Sequence, residues 1–396
     1  MVNYEFPPIG GGGGTTTRFI SKYMSRLGID VDVITTKPGK DDFFNHPDGF
    51  NLYYVGHTKN KISGTHIPEL AKFALTLIYY SKQVIERSKP DLIHCFFTLP
   101  SGSFGLYCKK IYKIPYIISA LGADVPGFNI GDWRLDAYHS LTKSLSKSIW
   151  KNSSYVVANS KSLQETCKRF SPNRDIKTIT NGVDIEIFYP DKNKKFDSSE
   201  VQLLFISRLM PQKGIDILIK ACDLLNKKGT TNFKLTIVGE GHLKSLMFSL
   251  IERFNLKENI NFLGWKDLDE LPDIYRSADI FILPSVMEGM SSVVLQAMAS
   301  GLPIVASRVK GFEEIVEENL NGLFAEYNNP EEFAVAIEKL IKSPDLREKM
   351  SQKSLEKSKL FSWETISRQY LELYKETVGL ANGNCLKDKL QIPARF

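Results

Sequence analysis

The sequence predicts an α/β protein with two Rossmann-like domains that face each other across a cleft. Short β-branched segments alternate with amphipathic segments along almost all of the 396 residues, which is typical of parallel sheets covered by helices. The chain is also longer than one hydrophobic core usually organises. A polar, charged segment at 191–200 interrupts the alternation, and a second α/β series begins after it, so we interpret this segment as an exposed connector between domains.

Hydrophobic periodicity and turn residues position the elements of both halves. In the first half, strands are predicted at Ile29–Thr35, Asp91–Phe97, Tyr116–Ala120 and Tyr155–Ala158, and a helix at Thr15–Leu27. In the second half, strands are predicted at Leu203–Ser207, Lys234–Val238, Ile260–Leu263, Asp279–Leu283 and Ile304–Ala306. The helices between these strands are predicted at Ile215–Asn226, Leu243–Phe254, Leu271–Ser277 and Ser292–Ala299.

These elements divide the chain into an N-terminal domain at 1–190 and a C-terminal domain at 198–360. A last helix at 361–378 is expected to cross back and pack on the first domain, because it carries an apolar stripe. The stripe consists of Trp363, Ile366, Tyr370, Leu373 and Tyr374. Residues 379–396 show no periodicity and predict a loosely held tail.

Composition excludes several classes of protein. The five cysteines are scattered without C-x-x-C spacing, which argues against a disulfide framework and a zinc site. No apolar segment reaches the ~18 residues that cross a bilayer, and the first residues lack a signal-peptide pattern, so we expect a cytoplasmic protein. The net charge of +6 permits anionic partners, but the basic residues are spread along the chain and nucleic acid is not expected as a partner.

Five consecutive glycines, from Gly10 to Gly14, precede the first predicted helix. A loop of this kind brings backbone N–H groups close to phosphate or sugar oxygens, so Gly12, Gly13 and Gly14 are candidate donor-binding residues. The segment fits neither a P-loop nor G-x-G-x-x-G. A ligand loop and a flexible turn both remain open interpretations.

Two cations follow the first strand of the second domain. Arg208 and Lys213, in ISRLMPQKGID, flank a short turn at the edge where α/β sheets bind ligands. Together they could hold a diphosphate, whereas the alternative is a pair of solvated surface charges.

A third segment, PSVMEGMSSVVLQAMASGLP, runs from a strand through Glu288 into a helix. The unpaired N–H groups of the first helical turn bind anions, so the residues at its start are candidates for donor binding. These are Gly289, Met290, Ser291 and Ser292. Gln296 lies eight residues beyond Glu288, about 12 Å along a helix, which suits a sugar at one end and a ribose at the other. Alternatively, Glu288 only complements the helix dipole.

The segments ISRLMPQKGID, IVGEGH, FLGW and EGMSSVVLQAMASGLP resemble the donor domain of family 4 glycosyltransferases. NYEFPPIGGGGG, ANSKSLQETC, TITNGVDIEIFYP and FSWETI also fall where that family has similar segments, so the resemblance covers almost the whole chain. It implies the GT-B fold, a nucleotide-diphosphate sugar as donor, transfer with retention of configuration, and no metal or other cofactor. It also implies a glycan or lipid-linked acceptor in polysaccharide or glycolipid synthesis.

By this resemblance, Arg208 and Lys213 neutralise the leaving diphosphate and Glu288 contacts the sugar hydroxyls. Fixed cations aimed at developing charge stabilise the transition state more than the ground state. Gly239 of IVGEGH is a further candidate for donor binding, and Lys266 and Leu271, after FLGW, are candidate neighbours of the nucleobase.

Two positions depart from the family pattern. Gln296 stands where the family usually has a glutamate that holds the ribose, and it lacks the charge-assisted part of that hydrogen bond. Leu121 of SALGADVPGF stands where the family has a histidine near the transfer site. Asp124 in the same segment could orient a hydroxyl or accept a proton, or it could form an ordinary turn.

The segment LTKSLSKSIWKN predicts a helix with a lysine stripe beside an apolar stripe. These stripes are Lys143, Lys147 and Lys151, and Leu141, Leu145 and Ile149. Such a helix can rest on an anionic membrane, which would bring the protein to the inner membrane surface, or it can pack into the core with a solvated lysine face.

Two other functions compete with transfer. A catalytically silent nucleotide-sugar binding protein would explain the changes at residues 121 and 296. A nicotinamide-dependent sugar-nucleotide enzyme ranks third, because the chain lacks the G-x-G-x-x-G fingerprint.

Overall fold

The computed structural model describes residues 1–7, 11–37, 42–57, 67–128 and 133–381. It forms two compact units. The first comprises Met1–Asn181 and the segment that begins at Trp363, and the second comprises Gly182–Ser362. Residues 182–190, which the sequence analysis assigned to the first domain, therefore belong to the second unit, where Phe188 lies in the hydrophobic core.

The first unit contains six helices and seven strands among its described residues before Asn181. The helices are α1 (Gly12–Arg26), α2 (Ile67–Tyr79), α3 (Ser81–Ser88), α4 (Ser101–Ile111), α5 (Trp133–Asn152) and α6 (Lys161–Phe170). The strands are β1 (Asp32–Lys37), β2 (Asp42–Asn45), β3 (Asn51–His57), β4 (Ile93–Phe96), β5 (Tyr116–Ala120), β6 (Tyr155–Ala158) and β7 (Ile176–Thr178).

These strands form two sheets, ordered β1-β3-β2 and β4-β5-β6-β7. All neighbours are parallel except β2 and β3. Val2 bridges Ile34 on one side and Cys95 on the other, so the start of the chain lies between the two sheets. The predicted strands at β5 and β6 are confirmed to the residue, whereas β1 begins three residues after the predicted Ile29.

The second unit contains a single six-stranded parallel sheet. Its strands are β8 (Val201–Ile206), β9 (Phe233–Val238), β10 (Ile260–Gly264), β11 (Ile280–Leu283), β12 (Ile304–Ser307) and β13 (Gly322–Ala325). Its α-helices are α7 (Ile215–Lys227), α8 (Lys244–Arg253), α9 (Leu271–Ser277), α10 (Ser292–Ala299), α11 (Lys310–Glu313), α12 (Pro330–Ile341) and α13 (Pro344–Ser358). Each predicted strand and helix of this half is present within two residues of its predicted bounds.

The last helix, α14 (Trp363–Ala381), packs on the first unit. The rings of Trp363 and Phe19 stack at 5.6 Å. Buried His94 lies between the Tyr374 hydroxyl and the Ser119 hydroxyl, each at 2.7 Å. The helix extends three residues beyond the predicted end at 378, and residues 382–396 of the predicted tail lie outside the described residues.

Helix α1 begins inside the glycine run, so the prediction of a glycine loop followed by a helix from Thr15 is wrong for the described glycines. A Cβ atom on Gly13 would lie 2.6 Å from the ring of Phe97, and one on Gly14 would lie 3.1 Å from the backbone of Phe6. A larger residue at Gly13 would thus require Phe97 to move, and Gly14 leaves little room for one. Gly10 lies outside the described residues.

The segment at 191–200 lies within the second unit and does not connect the units. It is mostly exposed, as expected, but Lys194 reaches back to Asp279 at 3.2 Å, and buried Arg347 donates to the carbonyl oxygen of Phe196. A buried cation needs these partners, and they hold the segment against the sheet.

Candidate active site

The sheet of the second unit changes direction next to β8. From β8 the chain continues to β9 and β10 on one side and then returns to β11, β12 and β13 on the other. In an open parallel sheet, ligands bind outside the carboxyl ends of the strands at such a switch point. The loops after β8 and β11 carry the candidate residues and therefore meet at the expected place.

These two loops are hydrogen-bonded to each other. The N–H of Val286 donates to the carbonyl oxygen of Gln212 at 2.9 Å. Gly214 has a φ of +67°, and a Cβ atom there would lie 2.1 Å from the carbonyl oxygen of Pro284. Only glycine fits this approach. The turn Pro211–Lys213 is thereby held against the strand that leads to Glu288.

Lys213 and Glu288 form an ion pair at the centre of this site. The Lys213 Nζ atom donates to Glu288 Oε1 at 2.6 Å, and the two side chains are 20% and 11% exposed. The structure therefore brings together two residues that lie 75 positions apart in the sequence. Arg208 lies on the same loop, is exposed, and has no side-chain partner among the described residues.

Helix α10 begins beside Glu288. The residue before it, Ser291, has an extended conformation, and its side chain makes no capping hydrogen bond. The N–H groups of the first turn, which begins at Ser292, therefore lack the usual side-chain acceptor and are available to an anion. Met290 and Ser291 are buried, whereas Ser292 and Val293 are half-buried.

Gly311 supports the backbone of Glu288 and Gly289. A Cβ atom on Gly311 would lie 2.2 Å from the carbonyl oxygen of Glu288 and 2.5 Å from that of Gly289. This role of Gly311 is not apparent from a sequence motif. A glycine after the next strand, β12, is the only sequence signal for it, and this signal is weak.

Gln296 lies on the same helix and is 8% exposed. The hydroxyl oxygen of buried Tyr275 is 3.0 Å from the amide oxygen of Gln296. The contact of Tyr275 with Gln296 is not apparent from the sequence, because no local pattern pairs residues on two different helices.

The remaining candidates of this unit lie at the ends of β9 and β10. Gly239 has a φ of +134°, donates its N–H to the Gly264 carbonyl at 2.8 Å, and approaches the Ser207 carbonyl more closely than a Cβ atom allows. Lys266 pairs with Glu270 at 2.8 Å. Gly239 thus joins the ends of three strands, and Lys266 pairs with a neighbouring residue on the surface.

Comparison with known proteins identifies the family. Residues 10–187 match the family model Glycosyltransferase Family 4, and residues 190–357 match Glycosyl transferases group 1. Glycosyltransferase MJ1178 of Methanocaldococcus jannaschii is 33% identical over 386 residues, which are 95% of this chain and 97% of that protein. The chain belongs to the family 4 glycosyltransferases.

Solved structures show that this glycosyltransferase has the GT-B fold. Sucrose-phosphate synthase from Thermosynechococcus elongatus superposes with a TM-score of 0.80 at 22% identity, over 95% of this chain and 97% of that one. Anabaena HepE in complex with UDP-glucose superposes with a TM-score of 0.70 at 20% identity, over 95% and 98%. The two Rossmann-like domains predicted from the sequence are confirmed.

In the first unit of the glycosyltransferase, Asp124 is held by four hydrogen bonds. Its Oδ2 atom accepts from the N–H and hydroxyl of Thr98 at 2.8 and 3.0 Å, and its Oδ1 atom accepts from the N–H groups of Leu121 and Gly122 at 3.0 and 3.1 Å. Trp150 donates to the hydroxyl oxygen of Thr98 at 2.9 Å. Asp124 therefore joins the loops after β4 and β5. To accept a proton, or a hydrogen bond from a substrate hydroxyl, its carboxylate would have to lose one of these four bonds.

Helix α5 of the glycosyltransferase exposes part of its apolar stripe. Leu141 is 87% exposed and Leu145 is 44% exposed, whereas Ile149 is buried. The three lysines of the neighbouring stripe are all exposed. Helix α5 also buries His139, Ser146 and Trp150, so the core-packing interpretation holds for one face along the helix, and Leu141 and Leu145 lie outside that face.

The described residues contain no helix that is long and apolar enough to cross a membrane. Among the same residues, no group of three or more His, Cys, Asp or Glu side chains could hold a metal ion.

Proposed function

We propose that this glycosyltransferase transfers a sugar from a nucleoside-diphosphate sugar to a glycan or lipid-linked acceptor, with retention of configuration and without a metal ion. The Lys213–Glu288 ion pair at the switch point of the parallel sheet carries this proposal. Helix α10, whose start has no side-chain cap, begins four residues after Glu288, so an uncapped helix start follows the ion pair closely in the chain.

Each group has a distinct role in the proposed site. Arg208, Lys213 and the first-turn N–H groups of α10 bind the diphosphate, and the Glu288 carboxylate accepts hydrogen bonds from sugar hydroxyls. As the bond between the sugar and the diphosphate breaks, negative charge grows on the leaving oxygen. Fixed N–H groups and cations that already point at that oxygen stabilise this charge without reorganisation.

The ion pair prepares Lys213 for this role. Glu288 holds the ammonium group at 2.6 Å before the donor arrives, so the side-chain entropy of the lysine is already lost. When the diphosphate binds, its charge competes with Glu288 for the ammonium group, and the carboxylate becomes free to accept from the sugar. On donor binding, Lys213 thus exchanges Glu288 for the diphosphate, and Glu288 exchanges Lys213 for a sugar hydroxyl.

The family supports retention and metal independence, since the resemblance implies both. Two cations and a helix start supply the positive charge that a divalent metal provides in other nucleotide-sugar sites. Nuclear magnetic resonance of the product tests retention directly, because the anomeric coupling constant distinguishes the two configurations. An inverted product would contradict the proposal.

We also infer that α5 rests on the anionic surface of a membrane, where a lipid-linked acceptor would be found. The exposed leucine side chains can enter the apolar acyl region of a membrane, and the three exposed lysines beside them can contact its negatively charged lipid headgroups. This location corresponds to the cytoplasmic face of the inner membrane.

Vesicle sedimentation tests this surface. Leu145→Glu should weaken binding to phosphatidylglycerol vesicles by roughly tenfold, because it removes apolar burial and adds a negative charge. Leu246→Glu is the matched control, since Leu246 is also 44% exposed but lies on α8 of the other unit. Equal weakening in both variants, or equal binding to neutral phosphatidylcholine vesicles, would contradict the role of α5.

A silent nucleotide-sugar binding protein is the second candidate, favoured by Leu121 and by the neutral Gln296. A thermal-shift screen with UDP-, GDP-, ADP- and dTDP-sugars identifies the donor, because a ligand at 100 times its dissociation constant adds about 2.7 kcal/mol. The donor is then offered with mixed acceptors. Transfer or hydrolysis supports the enzyme, and binding without either supports the silent protein.

A further inference from the structure

The hydroxyl group of Tyr275 lies between two oxygen atoms of α10. Its oxygen is 3.1 Å from the carbonyl oxygen of Val293 and 3.0 Å from the amide oxygen of Gln296. Burial raises the pKa of Tyr275 well above its ordinary value, so the phenol keeps its proton. A phenol has one hydrogen and can donate fully to only one of these oxygens.

Turning the amide of Gln296 by 180° resolves this conflict. Amide oxygen and nitrogen occupy equivalent positions, and the hydrogen-bond network decides between them. In the turned orientation, the NH₂ group of Gln296 donates to the Tyr275 oxygen, and Tyr275 donates to the carbonyl of Val293. Every short contact then contains a hydrogen, and the amide oxygen of Gln296 points away from Tyr275.

The outward amide atom of Gln296 has no partner among the residues that the structure describes. Gln296 is only 8% exposed, but its outward amide atom is not fully buried, so water or a ligand can reach it. Gln296 lies four residues, or about one turn, beyond Ser292 in the helix whose start forms the proposed diphosphate site. A ligand bound at that start can extend to this atom.

We propose that Tyr275 is a positioning residue that turns the carbonyl oxygen of Gln296 towards the donor, where it accepts a hydrogen bond from a ribose hydroxyl. The proposal rests on the proposed function and names a further residue of the same site. A carboxylate accepts through either oxygen, but an amide accepts through only one. A glutamine therefore needs an orienting partner that a glutamate does not, and Tyr275 supplies it.

Calorimetry with ribose analogues tests the proposal. The probes are UDP, GDP and ADP, each with its 2′-deoxy and 3′-deoxy forms. The wild-type protein should bind one deoxy form roughly 3–10-fold more weakly than the ribose form, the range expected for one neutral hydrogen bond. Gln296→Ala should abolish this ratio. Tyr275→Phe keeps the ring that packs on Phe188 and Phe281 but frees the amide, so the ratio should fall by at least about half.

The Gln296→Glu background separates positioning from a merely structural role. There Tyr275→Phe should leave the ribose ratio unchanged, because either carboxylate oxygen can accept the hydroxyl. An unchanged ratio in the single Tyr275→Phe variant, or an equal fall in both backgrounds, would overturn the proposal. If the nucleotides bind without ribose discrimination, only this inference fails. If none of them binds, the proposed function fails with it.

Discussion

Replacement of Lys213 by alanine should lower the turnover number far more than it weakens donor binding. The substitution removes an ammonium group that lies 2.6 Å from Glu288 and is only 20% exposed, so its charge is partly shielded from water. Loss of one preorganised donor at a developing negative charge costs about 2.7–4 kcal/mol in activation free energy, or about 10²–10³ in turnover. Binding of the intact donor should weaken less, because the charge on the leaving oxygen has not yet developed.

The same substitution leaves Glu288 without its cation. That carboxylate is 11% exposed, so the free energy of unfolding should fall by about 1–3 kcal/mol. Kinetics must therefore be measured well below the melting temperature. Lys213→Arg should retain part of the turnover, since it keeps the positive charge.

Lys220→Ala is the matched control, because Lys220 on α7 also pairs with an acidic residue, Asp216, at 3.1 Å. This pair lies on the helix surface and should not affect transfer. The assay follows release of nucleoside diphosphate with the donor found in the screen. Near wild-type turnover in Lys213→Ala, or an equal loss in Lys220→Ala, would refute the reasoning.

Four further outcomes are expected. EDTA should leave transfer nearly unchanged, and complete loss that magnesium or manganese restores would contradict metal independence. Gly311→Ala should lower transfer by about 10², because its Cβ atom would clash with the carbonyl oxygen of Glu288 and displace that residue by about 1 Å. A Cβ atom on Gly379 would have no atom within 4 Å, so Gly379→Ala is the control and should have no effect in the same assay. Asp124→Asn should lower the free energy of unfolding by about 2–4 kcal/mol in urea, because its NH₂ group would face N–H donors, and an unchanged midpoint would exclude the structural role. Burial holds the pKa of His94 well below its ordinary value, so the unfolded state gains a proton below about pH 6.5 that the native state does not. This group should therefore lower stability there by up to about 1.4 kcal/mol per pH unit, and His94→Gln should remove this contribution while those of His46 and His139, whose pKa burial also lowers, remain.

Most of the second unit could be predicted from the sequence because its elements are locally determined. Helix α10 has the predicted bounds, Ser292–Ala299, since glycine and proline end the flanking segments and the apolar periodicity between them is unbroken. The positions of Lys213 and Glu288 followed from one rule, that loops after parallel strands emerge at the same edge of a sheet. Their direct pairing needed the structure.

The first unit was harder to predict because its elements depend on distant residues. Strands β2 and β3 were missed, since their pairing is antiparallel within an otherwise parallel pattern. Helix α1 begins at Gly12 because the glycines pack against Phe6 and Phe97, which outweighs the poor helix propensity of glycine. Contacts between residues that are distant in the sequence determine both the pairing of β2 with β3 and the start of α1, and a local sequence pattern does not contain this information.

The partners of the candidate residues were equally hidden from the sequence. Tyr275 reaches Gln296 only because α9 and α10 are adjacent, and Asp124 contacts Thr98 only because β4 and β5 are neighbours. The single phenol hydrogen of Tyr275 decides how the amide of Gln296 is turned, and the four hydrogen bonds of Asp124 indicate that it holds two loops together. Sequence motifs identified where the chemistry lies but not how each group is held.

Transfer of a labelled sugar by the wild-type protein and by Glu288→Gln tests the central claim most directly. The donor is the nucleotide sugar that the thermal-shift screen identifies, and the acceptor is a mixture of glycans and extracted lipids. We expect acceptor-dependent transfer by the wild type and a strong loss in Glu288→Gln, whose amide oxygen can still accept from Lys213, so that its free energy of unfolding should fall by no more than that of Lys213→Ala. A wild-type protein that binds the donor but neither transfers nor hydrolyses the sugar with any acceptor would contradict the account.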